Sequence, residues 1–504
     1  MKRRISIRII SLFLVCIMLA AVLAACGNTG NDGNSTTDAV SGVKDSSDVS
    51  GNGSDVDSDS PESGVRYDAE GFIMDDIPES TNFNQADIAM LYWSDVENPE
   101  FFVDSENGDL VGQAIFTRNS RVESRLNVTI TYDGQPGNND NNDRFLTAAR
   151  TAADGGTSYD IYAAYSMTTA NLAYNGLCEN LLDFDAIDLD KPWWPDSLIT
   201  EATINNKLYF ASGDLSTNLL YMMYVLYFNK KMIAEKGLDD PYQCVDNKDW
   251  TYEKMFNMSN VISDSVNAGD TNKYGFVANS SVHLDPFFYG AGLRTTEHDP
   301  DGKPIISPSF GSERANSVVE DVWAFLNKPG CTISKGRTIF AEEKALFIMD
   351  RARYASQNLA SAGNFYGIVP VPKYTADQEN YTTCMGFPYT LYAISEFSSQ
   401  KEEAAVVLEC LGSEGYRNIT PALFEISMKE RYVSDGNATR MFDIIREGVS
   451  FELGRIFTYN LNRLTYSLYR SEFVREGGSQ YASSFESSKT ALDNLLANLI
   501  KNFE

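Results

Sequence analysis

The run NNKLYFASGDLSTNLLYMMYVLYFNKKMIAEKGLDDPYQCVDNKDWTYEKM, Asn205–Met255, is the most informative stretch of this 504-residue chain. It holds two short apolar segments, Asn206–Phe210 and Leu226–Lys230, and then Gly237, Pro241 and Trp250. Trp250 directly precedes Thr251, a candidate N-cap, and is spaced to staple onto Met255 at the start of a helix. Outward from this stretch the pattern is one of strands and helices in alternation. Ile88–Trp93 is a short apolar run suited to a buried strand, and Val128–Tyr132 alternates and is β-branched. Phe145, Leu146 and Ala149 have helical spacing between Asp143 and Ala153, Gly155-Gly156 stops them, and Tyr159–Tyr165 reads as a third strand. Such alternation predicts a parallel α/β architecture.

Toward the C-terminus three amphipathic helices are expected. Ala315, Val318, Val319, Val322 and Leu326 share one face, stopped by Pro329-Gly330. Ser399 with Glu402 reads as a capping box ahead of Ala404, Val407, Leu408 and Leu411, with Gly412 as the stop. Leu492, Leu495, Leu496, Leu499 and Phe503 line a last helix. All three stripes read as core.

The N-terminus reads differently. Lys2, Arg3, Arg4 and Arg8 precede an apolar segment, Ile9–Leu23, too short for a span, which needs ~20 apolar residues. A basic head, an apolar run and small residues read as a secretory signal at 1–25. Leu23-Ala24-Ala25-Cys26 resembles a bacterial lipobox, which implies cleavage before Cys26 and lipid on it; an ordinary signal peptide beside a chance cysteine is the other reading. From Gly27 to Arg66 there is no aromatic residue, but seven glycines, nine serines and eight acidic residues. Such a tract cannot offset its ordering entropy and reads as a tether over 26–66.

Composition excludes some functions. Without the four basic residues of the leader, 37 Lys and Arg face 70 Asp and Glu, a net charge of −33. That argues against nucleic acid or an anionic membrane as a charge-bound partner. Cys178, Cys244, Cys331, Cys384 and Cys410 are odd in number and scattered, so buried thiols are expected rather than a disulfide framework. Two histidines, His283 and His298, leave little for a histidine metal site or a serine triad, and no nucleotide, zinc or hydrolase motif is present. Asn138–Asp143 (NNDNND) lacks the glycine and distal glutamate of a calcium loop and reads as an acidic loop with a helix N-cap. Any two of 70 carboxylates could serve a glycosidase, which gives that reading no specificity.

Three segments carry a resemblance. Asn206–Phe210, Leu226–Lys230, Gly237, Pro241 and Trp250 resemble the crossover region of the extracellular solute-binding proteins of ABC importers, family 1, carbohydrate type. Glu342–Tyr354 (EEKALFIMDRARY) resembles that family's strand and loop, and Phe365–Tyr374 (FYGIVPVPKY) its return crossing. Asn206, Ala211 and Arg351–Tyr354 depart from the family's usual residues. The resemblance implies a two-lobed, type II periplasmic-binding-protein-like α/β fold, with crossing hinge strands and a central ligand cleft. Lobe 1 would be 67–218 with 373–414, and lobe 2 219–372 with 415–504. Hinges are expected near 219–224 and 370–374, with a third crossing near Glu414-Gly415. The implied role is capture of a sugar or oligosaccharide by hinge closure and delivery to permease subunits. It involves no catalysis, cofactor or metal, in a monomer held by lipid on Cys26 at the outer face of the cell membrane. A surface glycosidase, or a sensor or adhesin on the same fold, are the rival readings.

In open α/β sheets ligands sit beyond the carboxyl ends of the strands. That rule selects Trp93 and Asp95 after the first strand and Tyr165 after the third. It adds Asp214 on the first crossing and His283, Asp285 and Tyr289 in the loop HLDPFFYGAG. Arg351 and Tyr354 follow the Ala345–Met349 strand, and Tyr389 lies in GFPYT. Aromatic faces with a few polar groups suit a pyranose. Against each stands a structural role: a strand cap for Trp93, turn or cap roles for Asp95 and Asp214, a carboxylate partner for Arg351. Trp193 and Trp194 read as packing, and Trp323 lies beside a core stripe.

Overall fold

Long apolar runs that no helix period explains become strands buried on both faces. The computed structural model describes residues 65–504 apart from 106–108, 157–158, 268, 270–271, 360–364 and 424–435. The leader, Cys26 and the tether as far as residue 64 lie outside the described residues. In chain order the strands are β1 (Ala86–Trp93), β2 (Val128–Gln135), β3 (Ile161–Tyr165), β4 (Tyr224–Asn229), β5 (Tyr274–Ala278), β6 (Thr296–His298) and β7 (Pro304–Ile306). They continue with β8 (Cys331–Thr332), β9 (Ala345–Arg351), β10 (Tyr366–Val369), β11 (Thr383–Cys384), β12 (Thr390–Ile394) and β13 (Val449–Ser450).

Two sheets carry the architecture. The first has the order β12-β3-β1-β2 and the second β10-β4-β9-β5-β8. In the first, β1 runs parallel to β2 and β3, with Ala86 opposite Val128 and Met90 opposite Ile161. β12 returns antiparallel along β3, with Thr390 opposite Tyr165. In the second, β9 runs parallel to β5 and antiparallel to β4, placing Tyr224 opposite Arg351. β3, β4 and β9 are buried along their whole length, as strands with both faces covered must be.

The covering helices follow from parallel pairing, which needs a crossover. Leu110–Leu126 links β1 to β2: Asp109 caps it by accepting from Gly112 N at 2.8 Å, and Asn127 ends it at a φ of 52°. Asn142–Asp154 links β2 to β3 and buries Phe145 and Ala149. Tyr252–Asn267 lies between β4 and β5, which flank β9 and run in opposite directions, with Thr251 Oγ1 accepting from Lys254 N at 3.3 Å. Glu313–Leu326 buries Ala315, Val318, Val319 and Val322 and is capped by Ser312. The terminal helix, Tyr481–Asn502, buries Leu492, Leu496 and Leu499.

Two expected local devices are not used. The helix expected to start on the Ser399 capping box begins at Lys401 after Gln400, with no side-chain cap. Ser398 intervenes, its Oγ accepting from Gln400 N at 2.9 Å. Nor does Gly412 stop that helix, which runs to Glu414. Gly412 is a close-approach residue: a Cβ there would lie 2.7 Å from the Trp193 ring. Trp193 and Trp194 are buried, as read, and Trp194 Nε1 donates to Glu409 Oε2 at 3.0 Å. The five cysteines are free thiols.

The chain passes between the sheets at a few points. Met223 bridges Met385, and Gly386 N donates to Met222 O at 2.8 Å. β11 pairs in parallel with β13, so two further passages of chain lie side by side there. Pro370–Tyr374, read as the return hinge, is fastened to the second sheet's side: Trp250 Nε1 donates to Pro370 O at 3.0 Å and Tyr252 N to Lys373 O at 2.8 Å. Gly415 packs on the first passage, where a Cβ would fall 2.3 Å from Asp214 O.

Two outcomes follow. Gly415→Ala must displace backbone and should cost about 1–3 kcal/mol in urea unfolding. Burial pushes Glu409 up to about 8, against the pull of the Trp194 and Trp193 indoles. The native state then binds the proton more tightly than the unfolded chain, so stability falls as pH rises from the ordinary glutamate range to about 8. Glu409→Gln should flatten that slope in denaturation curves taken across this range.

Candidate functional site

β1 and β3 end side by side, and this places Trp93 and Tyr165 edge-to-face with ring centres 5.5 Å apart. Trp93 Nε1 donates to Thr390 Oγ1 at 2.9 Å, which ties the indole to the first residue of β12. Ser166 Oγ donates to Phe387 O at 2.8 Å, drawing the 386–389 segment over the same strand ends. Tyr389 lies against Phe451, 5.8 Å between rings. Burial raises the phenol pKa of both Tyr165 and Tyr389, so both stay neutral hydrogen-bonding groups.

The second sheet supplies the opposite wall. Arg351 ends β9, and its guanidinium lies over the ring of Tyr224, 5.9 Å from the centre. It is 8% exposed, and its Nε has no hydrogen-bond partner. Its Nη1 is 3.7 Å from Glu97, in the loop after β1, and Arg353 pairs with the same carboxylate. Gln357 Nε2 donates to Asn98 Oδ1 at 2.9 Å, and Asn98 Nδ2 to Asn218 Oδ1 at 2.8 Å. Charged and amide groups thus bridge the seam between the two sheets.

Beneath it lies an ionic knot. Asp285 is fully buried and accepts from Arg455 at 3.0 Å and from Arg470 at 2.6 Å. Burial alone would push this carboxyl up, but Arg470 and Arg455 outweigh it and hold it below the usual range. Arg455 in turn faces Phe387, 4.0 Å from the ring centre, and Tyr289 at 5.0 Å. Tyr289 Oη is buried without a hydrogen-bond partner. Arg470 covers Tyr466 at 4.0 Å, and Tyr466 meets Phe387 at 5.6 Å.

The structure therefore gathers Trp93, Tyr165, Arg351 and Tyr389 at one seam, with Asp285 and Tyr289 joined to it through Arg455. The other candidates stand apart. Asp95 accepts from Gly137 N at 2.8 Å, Asn138 N at 3.2 Å and Asn141 Nδ2 at 3.1 Å, so it organises the NNDNND turn. His283 lies 3.3 Å from Asp350, which also binds Arg337 at 2.7 Å. Burial opposes ionisation of Asp350, but Arg337 and His283 prevail and hold it well below the usual range. Tyr354 donates to Arg337 O at 2.7 Å and packs on Tyr227. Asp214 sits on the first passage, accepting from Thr420 Oγ1 at 2.8 Å.

Sequence reasoning missed Glu97, Tyr224, Arg353, Phe387, Arg455 and Tyr466. The strand-end rule, run two residues further, reaches Glu97 and Arg353. Arg455 and Tyr466 had no such signal, since they come from C-terminal helices remote from any main-sheet strand. Among the described residues no group of three His, Cys, Asp or Glu is placed to hold a metal, and no helix is long and apolar enough to cross a membrane. Two surface hollows, about 540 and 460 Å³, flank the helix Tyr252–Asn267 and include none of the strand-end residues.

Three solved structures share this architecture. A cyclic α-maltosyl-1,6-maltose binding protein from Arthrobacter globiformis superimposes with a TM-score of 0.55 at 14% identity, over 82% of this chain and 100% of its own. An ABC substrate-binding protein from Listeria monocytogenes in complex with cycloalternan gives 0.52 at 12% identity, over 83% and 99%. A solute-binding protein of an ABC transporter from Thermotoga lettingae, bound with α-D-tagatose, gives 0.51 at 14%, over 82% and 100%. The chain has the fold of the substrate-binding proteins of ABC transporters. It is the two-lobed, type II periplasmic-binding-protein-like α/β fold, and the three structures are of binding proteins rather than enzymes. No family model matches the sequence, and no curated protein does.

One consequence concerns the knot. Asp285→Asn leaves two buried guanidiniums short of a countercharge, and breaking such a pair costs about 3–5 kcal/mol. Thermal and urea unfolding of the variant should register a loss of that order.

Proposed function

We propose that the chain is the substrate-binding component of a carbohydrate ABC importer. It would be lipid-anchored through Cys26 on the outer face of the membrane and act without catalysis or cofactor. The observation that carries this reading is the seam itself: aromatic rings from the first sheet face a buried arginine from the second, on a fold shared with sugar-bound proteins. A pyranose offers an apolar face for Trp93, Tyr165 and Tyr389 and a rim of hydroxyls for Arg351, Glu97 and Asn98. The two lobes would be built on the two sheets and would turn about the passages at Met222–Met223 and 383–387. A ligand touching both walls favours the closed arrangement because only there does it meet both. A permease would then read the closed form.

The test is calorimetry and thermal shift with single hexoses and with linear and cyclic gluco-oligosaccharides. An oligosaccharide should bind saturably, and at 100 times its Kd should add about 2.7 kcal/mol to stability. Arg351→Ala should weaken binding at least about tenfold, equal to about 1.4 kcal/mol. Binding of a peptide or phosphorylated compound with no response to any sugar would overturn the assignment.

A further inference from the structure

The passages between the sheets enclose a second, smaller cavity of about 150 Å³, away from the strand ends. Its walls include Trp193, Leu219, Met223, Met385 and Val449, and its polar groups are Asp214 and Arg446. It thus touches three segments of chain: 213–223, Met385 and 446–449. Asp214 is 7% exposed. Its Oδ1 accepts from Thr420 and lies 3.9 Å from Arg446, while its buried Oδ2 has no hydrogen-bond partner. Arg446, with its side chain 40% exposed, stands at the mouth.

An unpartnered buried carboxylate oxygen is costly. A water could meet it but would leave the apolar wall uncovered. A simple amine would gain at Asp214 and lose at Arg446; a simple acid would do the reverse. The cavity offers one charge of each sign at one end and an apolar wall at the other. A zwitterion with a short apolar body is complementary to all three.

We propose that this cavity is a binding site for a free α-amino acid with a small apolar side chain, its ammonium on Asp214, its carboxylate on Arg446 and its side chain against Met223, Met385 and Val449. The site is separate from the oligosaccharide seam and independent of that reading. Because it contacts the paired passage at Met223 and Met385, its occupancy would couple to hinge angle, and such coupling is reciprocal between ligands.

The test is titration calorimetry on the full chain with four probes: L-leucine, 3-methylbutylammonium, 4-methylpentanoate and glycine. L-Leucine should bind saturably, and each of the others at least tenfold more weakly. Asp214→Asn should weaken leucine at least tenfold. Val449→Trp, which fills the cavity and leaves both charges, should abolish binding in a protein whose far-ultraviolet dichroism is unchanged. No leucine binding, equal binding of the amine, or binding undiminished in Val449→Trp would each overturn the proposal. Failure here leaves the sugar titrations unaffected, so the two readings fall separately.

Discussion

The pairing of chain with chain at the passage between the sheets is the constraint on which the rest depends. Met222 O accepts from Gly386 N and Met223 O from Ala352 N, both at 2.8 Å. Buried backbone groups must find partners, so segments crossing between sheets satisfy one another. Few torsions are then left to move, which is what a hinge requires. The same bonds aim the side chains of the candidate seam. Ala352 follows Arg351 directly, and a Cβ on Gly386 would lie 3.0 Å from Arg351 Nε. The arginine at the seam keeps its place because residue 386 has no side chain.

A second constraint is electrostatic. Asp285 is buried with two guanidiniums on it, and one of them, Arg455, presses on Phe387 and Tyr289. A buried ion pair adds little net stability, yet it fixes where its members lie. Here it sets helices from the last 50 residues beneath a loop from the middle of the chain, and so shapes the floor of the seam. Glu409, by contrast, is buried against indoles, and burial makes its proton correspondingly hard to remove.

Much of the fold was legible in the sequence. Runs such as Ile88–Trp93 and Ala345–Met349 are too short and too apolar for amphipathic helices, and the helical spacing between them implied parallel pairing. What misled were residues whose local signal was overruled by packing. Ser399 and Glu402 match a capping box, but Ser398 takes the bond that ends the loop. Gly412 looks like a stop and is instead a gap for Trp193. The site was legible only in part. The carboxyl ends of strands named Trp93, Tyr165 and Arg351; Tyr389 precedes the amino end of the antiparallel β12, and Arg455 and Tyr466 come from a region with no strand of either main sheet to point from.

By itself the sequence determined several of the strands, the parallel sense of β1 with β2 and β3, and the short set of residues beyond their ends, because these depend on local periodicity and on backbone pairing rules; the all-parallel expectation failed at β4, β10 and β12, which run antiparallel to their neighbours. It did not determine which polar groups remain available to a ligand. Asp95, Asp214 and Asp285 look alike as acidic residues in loops, and only the tertiary structure separates them. One is spent on its own turn, one is clamped by arginines 170 and 185 positions away, and one keeps a buried oxygen without a partner. The physical reason is that burial and charge pairing are set by neighbours in space, which here lie from 42 to 206 positions away in the chain.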